Sequence, residues 1–125
     1  MDLSSLTDND ISSRAEKGYD LTLYHPATGK KLDIIFSLKG TESNTYKKAY
    51  DASLDELKAI EEPTQSDYEK AELKLRASII TGWSGIEENE KPIEFNQANV
   101  VRVLTGWGWI NKQVANALND KSLFF

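Results

Sequence analysis

The chain has 125 residues, twenty carboxylates against fifteen Lys/Arg for a net charge of −5, and no cysteine. That length makes one domain, not two, and a domain of this size holds together without disulfides or metal. The missing cysteines exclude disulfide frameworks, thiolate nucleophiles and sulfur-ligated zinc; the acidic balance, with Lys30-Lys31 and Lys47-Lys48 diluted by acids, argues against nucleic acid as a partner.

The start, Met1-Asp2-Leu3-Ser4-Ser5, has neither the basic nor the apolar region of a secretory signal. No apolar run approaches the ~18 residues of a membrane span, so the expected location is the cytoplasm, with no membrane partner. Residues 1–18 are rich in Ser, Asp and Asn and read as a loosely ordered lead-in with room for a short helix. From 19 to 39 the pattern alternates. Tyr19, Leu21 and Leu23 share one face of a first strand, and Leu32, Ile34, Phe36 and Leu38 share one face of a second. Between them, His25-Pro26-Ala27-Thr28-Gly29-Lys30 has the proline and glycine of a turn, which predicts a β-hairpin. A lone hairpin is marginal in water, so its apolar face needs the helices that follow.

Residues 44–61 carry Tyr46, Tyr50, Leu54, Leu57 and Ile60 at spacings of three and four, behind a Ser43 N-cap and ahead of Pro63. Ser66-Asp67-Tyr68-Glu69 has the form of a capping box and opens a predicted central helix that runs to about Ile80, where Thr81-Gly82 stops it. Trp83-Ser84-Gly85-Ile86 and an acidic loop through Pro92 follow. Phe95, Asn96 and Val100 make a staple and N-cap for a helix over 97–105. Gly106-Trp107-Gly108 interrupts, and a last helix over about 109–119 carries Ile110, Val114, Ala117 and Leu118. The predicted architecture is one α+β domain over 19–125: a hairpin at 19–39, then a compact bundle of about four helices within 43–120.

No constellation for catalysis is present. His25, the single histidine, lies in a turn without a partner, and no nucleophile elbow or phosphate loop occurs. The chain therefore reads as a binding protein rather than an enzyme, with no cofactor and no metal. Glu87, Glu88, Glu90 and Glu94 lack the alternating ligands and central glycine of a calcium loop; they read as a solvated loop, or as a docking point for a basic partner. Trp83 reads as core packing between helices. Trp107 and Trp109 share one tight turn and are hard to bury together. Leu123-Phe124-Phe125 either folds back onto the bundle or marks a partner surface. The candidate protein-binding residues are thus Trp107, Trp109, Leu123, Phe124 and Phe125.

Tyr24-His25-Pro26-Ala27-Thr28-Gly29-Lys30, the strand ending Leu38-Lys39-Gly40, and Thr41-Glu42-Ser43-Asn44-Thr45-Tyr46 resemble the N-terminal part of small tail assembly chaperones of long-tailed bacteriophages. Ile79-Ile80-Thr81-Gly82-Trp83, the step Pro92-Ile93-Glu94-Phe95-Asn96, and Trp109-Ile110 with Gln113-Val114 look like later parts of the same family, so the likeness spans 19–125. His25 stands where the family carries an acid, and Asn96 where Ser or Thr is commoner. The resemblance implies a cofactor-free, non-enzymatic protein of the infected host cell's cytoplasm. It would bind the tape measure protein, keep it soluble, and help tail tube protein polymerise around it. The tail tube protein and a second copy of the chain are further candidate partners. The alternative is a small structural tail or head–tail joining protein of the virion. Trp83-Ser84-Gly85 also occurs in secreted helical hairpins with a Trp-x-Gly motif, but a β-hairpin and the breaks at Pro63 and Pro92 do not suit their long helices. Many tail assembly chaperones are made in two lengths by ribosomal frameshifting. Codons for Leu123-Phe124-Phe125 can consist almost wholly of uridines, so the resemblance also implies a slippery run there.

Overall fold

The structure, a computed structural model, describes residues 2–124. In chain order it contains α1 (Asp8–Lys17), β1 (Tyr19–Tyr24), β2 (Lys31–Leu38), α2 (Asn44–Lys58), α3 (Gln65–Ser78), β3 (Ile80–Ser84), β4 (Glu87–Glu88), β5 (Lys91–Pro92), α4 (Gln97–Gly106) and α5 (Gly108–Asn119), with 3₁₀ turns at Leu3–Ser5 and Lys121–Phe124. Among the described residues, no helix is long and apolar enough to cross a membrane.

The β1–β2 hairpin forms where the alternation places it, with Leu21 opposite Phe36. Its turn closes through His25 N–H to the Lys30 carbonyl at 2.8 Å, and Gly29 takes φ +70°. His25 also braces the turn from within, because its Nδ1 accepts the amide hydrogens of Ala27 and Thr28, both at 3.1 Å, as an Asn or Asp side chain does in such turns.

Three features differ from the sequence-based expectation. The central helix ends at Ser78 rather than near Ile80, and Ile80–Ser84 joins the sheet as β3, giving the antiparallel order β1-β2-β3. Phe36 faces Trp83 and Ser37 faces Gly82 across the β2–β3 pair, so Gly82 lies within a strand instead of stopping a helix. Ile79 and Ile80 are β-branched, and the Ile79 carbonyl already accepts the Lys39 amide at 2.9 Å, which draws this segment onto the sheet. The described residues are thus mixed α and β, five helices and a small antiparallel sheet, in which the expected hairpin gains β3 as a third strand. The capping box also moves. Thr64 is the N-cap of α3, accepting the Asp67 amide at 3.3 Å while the Asp67 carboxylate accepts the Thr64 amide at 2.9 Å. Thr64 directly follows Pro63 and is the first residue able to cap; Ser66 lies inside the first turn. Finally, the short helix for which the lead-in had room runs from Asp8 and is packed rather than loosely ordered: Ala15 of α1 is fully buried, its carbonyl accepting the Gly40 amide at 2.9 Å.

The core lies between one face of the sheet and the helices of the second half. Leu23, Phe36, Leu38 and Ile80 meet Val100, Val103 and Leu104 of α4 and Ile110 and Val114 of α5. The opposite sheet face, with Asp20, Lys31, Asp33, Ile35 and Ser84, is open to solvent. α2 stands apart: it packs chiefly on α3, and none of its residues is buried.

Candidate functional site

The residues singled out for protein binding fall into three environments. Trp107 and Trp109 bracket Gly108 at the α4–α5 corner, and both are half-buried against the core. The Arg102 guanidinium lies over the Trp107 ring at 5.9 Å, and Arg102 also meets Glu88 at 3.2 Å. Leu123 is half-buried as well. Phe124 turns inward: only 6 % of its surface is exposed, and its ring meets Tyr19 edge-on at 6.1 Å. A Cβ placed on Gly40 would lie 3.1 Å from that ring, so Gly40 makes room for it. The Lys121–Glu42 ion pair, 3.1 Å, fastens the same turn. Phe125 lies outside the described residues. Of the two alternatives open for this terminal segment, Phe124 follows the first and folds back.

Trp83 is half-buried on β3, not between helices. Its ring contacts Phe36 at 5.4 Å and Phe95 edge-on at 5.2 Å, and its Nε1–H donates to the Ile93 carbonyl at 2.9 Å. The acidic loop is a short hairpin. β4 pairs with β5, and Asn89 and Glu90 between them take φ +52° and +65°, the left-handed pair that a two-residue turn requires.

The helical half presents open grooves. One runs between α3 and α4, with Ala98 and Val101 as its apolar floor and Lys74, Ser78 and Gln97 as its rim. A second depression, between α3 and the α4–α5 corner, is lined by Leu73, Arg76, Leu104, Thr105, Gly108 and Asn111. Arg76 holds its wall in place, donating to Asn111 Oδ1 at 2.7 Å and to Glu72 at 3.1 Å. Exposed apolar side chains also occur outside the residues expected to bind a partner: Tyr50, Ile60 and Tyr68 are 45 %, 40 % and 51 % exposed. The stripe of Tyr46, Tyr50, Leu54, Leu57 and Ile60 was the available signal, since α2 packs chiefly on one helix, α3.

Titration and metal chemistry add little at these surfaces. Burial pushes the Tyr46 hydroxyl above its ordinary range, reinforced by Tyr50, so it stays neutral. Among the described residues, no group of three or more His, Cys, Asp or Glu is placed to hold a metal ion, and no buried side-chain polar atom lacks a hydrogen-bond partner. The chain matches no family model, no curated protein and no solved structure.

Proposed function

We propose that this protein is a tail assembly chaperone of a long-tailed bacteriophage, which binds helical segments of the tape measure protein in the host cell cytoplasm and delivers them for tail tube polymerisation. The observation that carries the reading is the α3–α4 groove, an open trough with an Ala98–Val101 floor and a polar rim. A trough of that kind takes the apolar stripe of an amphipathic helix and leaves the helix's polar side in water. Small floor residues let a helix backbone approach closely, and Lys74, which also pairs with Glu56 at 2.8 Å, and Gln97, whose Nε2 reaches the Ala77 carbonyl at 3.4 Å, keep further N–H groups for its flank. The order of the resembling segments across 19–125 supports the same reading. Trp107 and Trp109, half-buried on either side of Gly108 in the second depression, add a further aromatic contact for a partner.

Co-expression tests it. The protein should raise the soluble yield of the long helical protein encoded beside it and co-purify with that protein. Val101→Glu and Ala98→Glu, each checked for native circular dichroism, should cut recovery about tenfold by burying a charge in the floor. Unchanged recovery with both variants would move the site elsewhere. No gain in solubility with the wild-type chain, together with stoichiometric amounts of it in purified virions, would sink the chaperone reading in favour of a structural tail protein.

A further inference from the structure

We propose that a second copy of this chain docks on α2, the two α2 helices running antiparallel about a two-fold axis at Leu54. Three observations converge. First, α2 has an apolar stripe but no buried residue, and Tyr50 is 45 % exposed on it. An amphipathic helix normally covers such a stripe by packing.

Second, the charges along α2 run from basic near its start to acidic past its end, with Lys58 in its last turn as the exception. Its first turn carries no acid, and Lys47 and Lys48 follow at once. Past its end come Glu61 and Glu62, where cations would be favoured. None of Lys47, Lys48, Asp51, Lys58, Glu61 and Glu62 takes part in any ion pair found among the described residues. Such a pattern leaves these charges without an ion-pair partner on their own chain among the described residues and suits an antiparallel neighbour.

Third, the pattern is complementary to itself in one register. In an antiparallel pair, residues on the same flank at nearly equal distances on opposite sides of the axis lie beside each other. With the axis at Leu54, Leu54 meets its own copy and Tyr50 lies beside the partner copy's residue 57, a leucine. Asp51 then faces Lys58 of the other copy, and Lys47 faces Glu61. On a helical projection at 100° per residue, Asp51 and Lys58 flank Leu54 on one side while Tyr50 and Leu57 flank it on the other. Antiparallel packing joins like flanks, so both matches hold together. Lys58, which a simple basic-to-acidic gradient leaves unexplained, finds its acid in this register. An unrelated helix would not require α2's charges to read as their own complement, which favours a second copy as the occupant.

Sedimentation equilibrium from about 5 to 200 µM in 50 mM salt should give twice the chain mass at the upper end, with the dimer weakening about tenfold in 500 mM salt. Asp51→Lys and Lys58→Asp should each shift the protein to monomer, and the combined variant should restore the dimer. The two positions lie two turns apart on one helix, so repair within a single chain cannot mimic that restoration. Because the chain has no cysteine, Leu54→Cys offers an independent measurement: under mild oxidation it should form a disulfide-linked dimer in high yield. A wild-type monomer at 200 µM in low salt would overturn the proposal. So would a folded combined variant that stays monomeric, the absence of the Leu54→Cys cross-link, or open-ended growth beyond two copies.

Discussion

Trp83 joins three stretches of chain through one side chain: Phe36 on β2, Phe95 before α4, and the Ile93 carbonyl. Truncating it removes two aromatic contacts and orphans that carbonyl. Trp83→Ala should cost about 3 kcal/mol, read from urea denaturation, whereas Trp83→Phe should cost about 1 kcal/mol because it loses chiefly the hydrogen bond. Equal costs would show that the donor matters more than the ring. That Trp83 packs inward was legible from its type and setting. Its partners were not, because they depend on a strand pairing with Phe36, 47 positions earlier. Phe124 had the same difficulty. Both of its fates were open in the sequence, and the deciding features, Tyr19 and the space over Gly40, lie far along the chain.

At the scale of elements, the joint between α1 and α2 shows how one helix completes another. Ser43, fully buried, caps α2 by accepting the Tyr46 amide at 3.0 Å and donating to the Gly40 carbonyl at 2.6 Å. The negative charge missing from α2's first turn comes from α1. Glu16 accepts the Thr45 hydroxyl and, at 3.2 Å, the Thr45 amide, while its backbone carbonyl accepts the Lys39 ammonium. The Thr45 hydroxyl, helped by its amide and by Lys39, holds the Glu16 carboxyl below its usual value near 4.5 against the opposing effect of burial. A carboxylate depressed in this way stabilises the fold fully above that unfolded value and loses the contribution as the pH falls through the lower, folded one. Glu16→Gln should therefore lower the urea midpoint at pH 7, and the gap from wild type should narrow as the pH falls below 4.5. A gap that stayed unchanged down to the acid end of the folded range would assign the effect to packing instead. Apolar periodicity locates α2, α4 and α5 because each repeats its apolar residues over about two turns or more. It misplaces the α3–β3 boundary because Leu75, Ile79 and Ile80 continue a helical spacing through the point where the backbone becomes extended.

The molecule as a whole is a sheet with helices on one face and solvent on the other, so its outer strands need protection. α5 supplies some of it. Gln113 Oε1 accepts the Tyr24 amide at 3.0 Å, and Gln113 Nε2 donates to the Tyr24 carbonyl at 2.7 Å. One side chain thus repeats the two bonds a neighbouring strand would make to β1. Gln113→Ala keeps α5 helical and should cost about 1–2 kcal/mol, with faster amide exchange at Tyr24 and fibril formation at high concentration. Unchanged exchange at Tyr24 would show that the strand is guarded by something else.

The contact between Tyr24 and Gln113 spans 89 positions, and that gap has a duration on the ribosome. At about 5–20 residues per second, β1 waits roughly 4 to 18 seconds between its own synthesis and that of the glutamine that closes it. Until that glutamine is made, the edge of β1 at Tyr24 has no side chain to close it, so pairing with another chain remains an open competitor to folding.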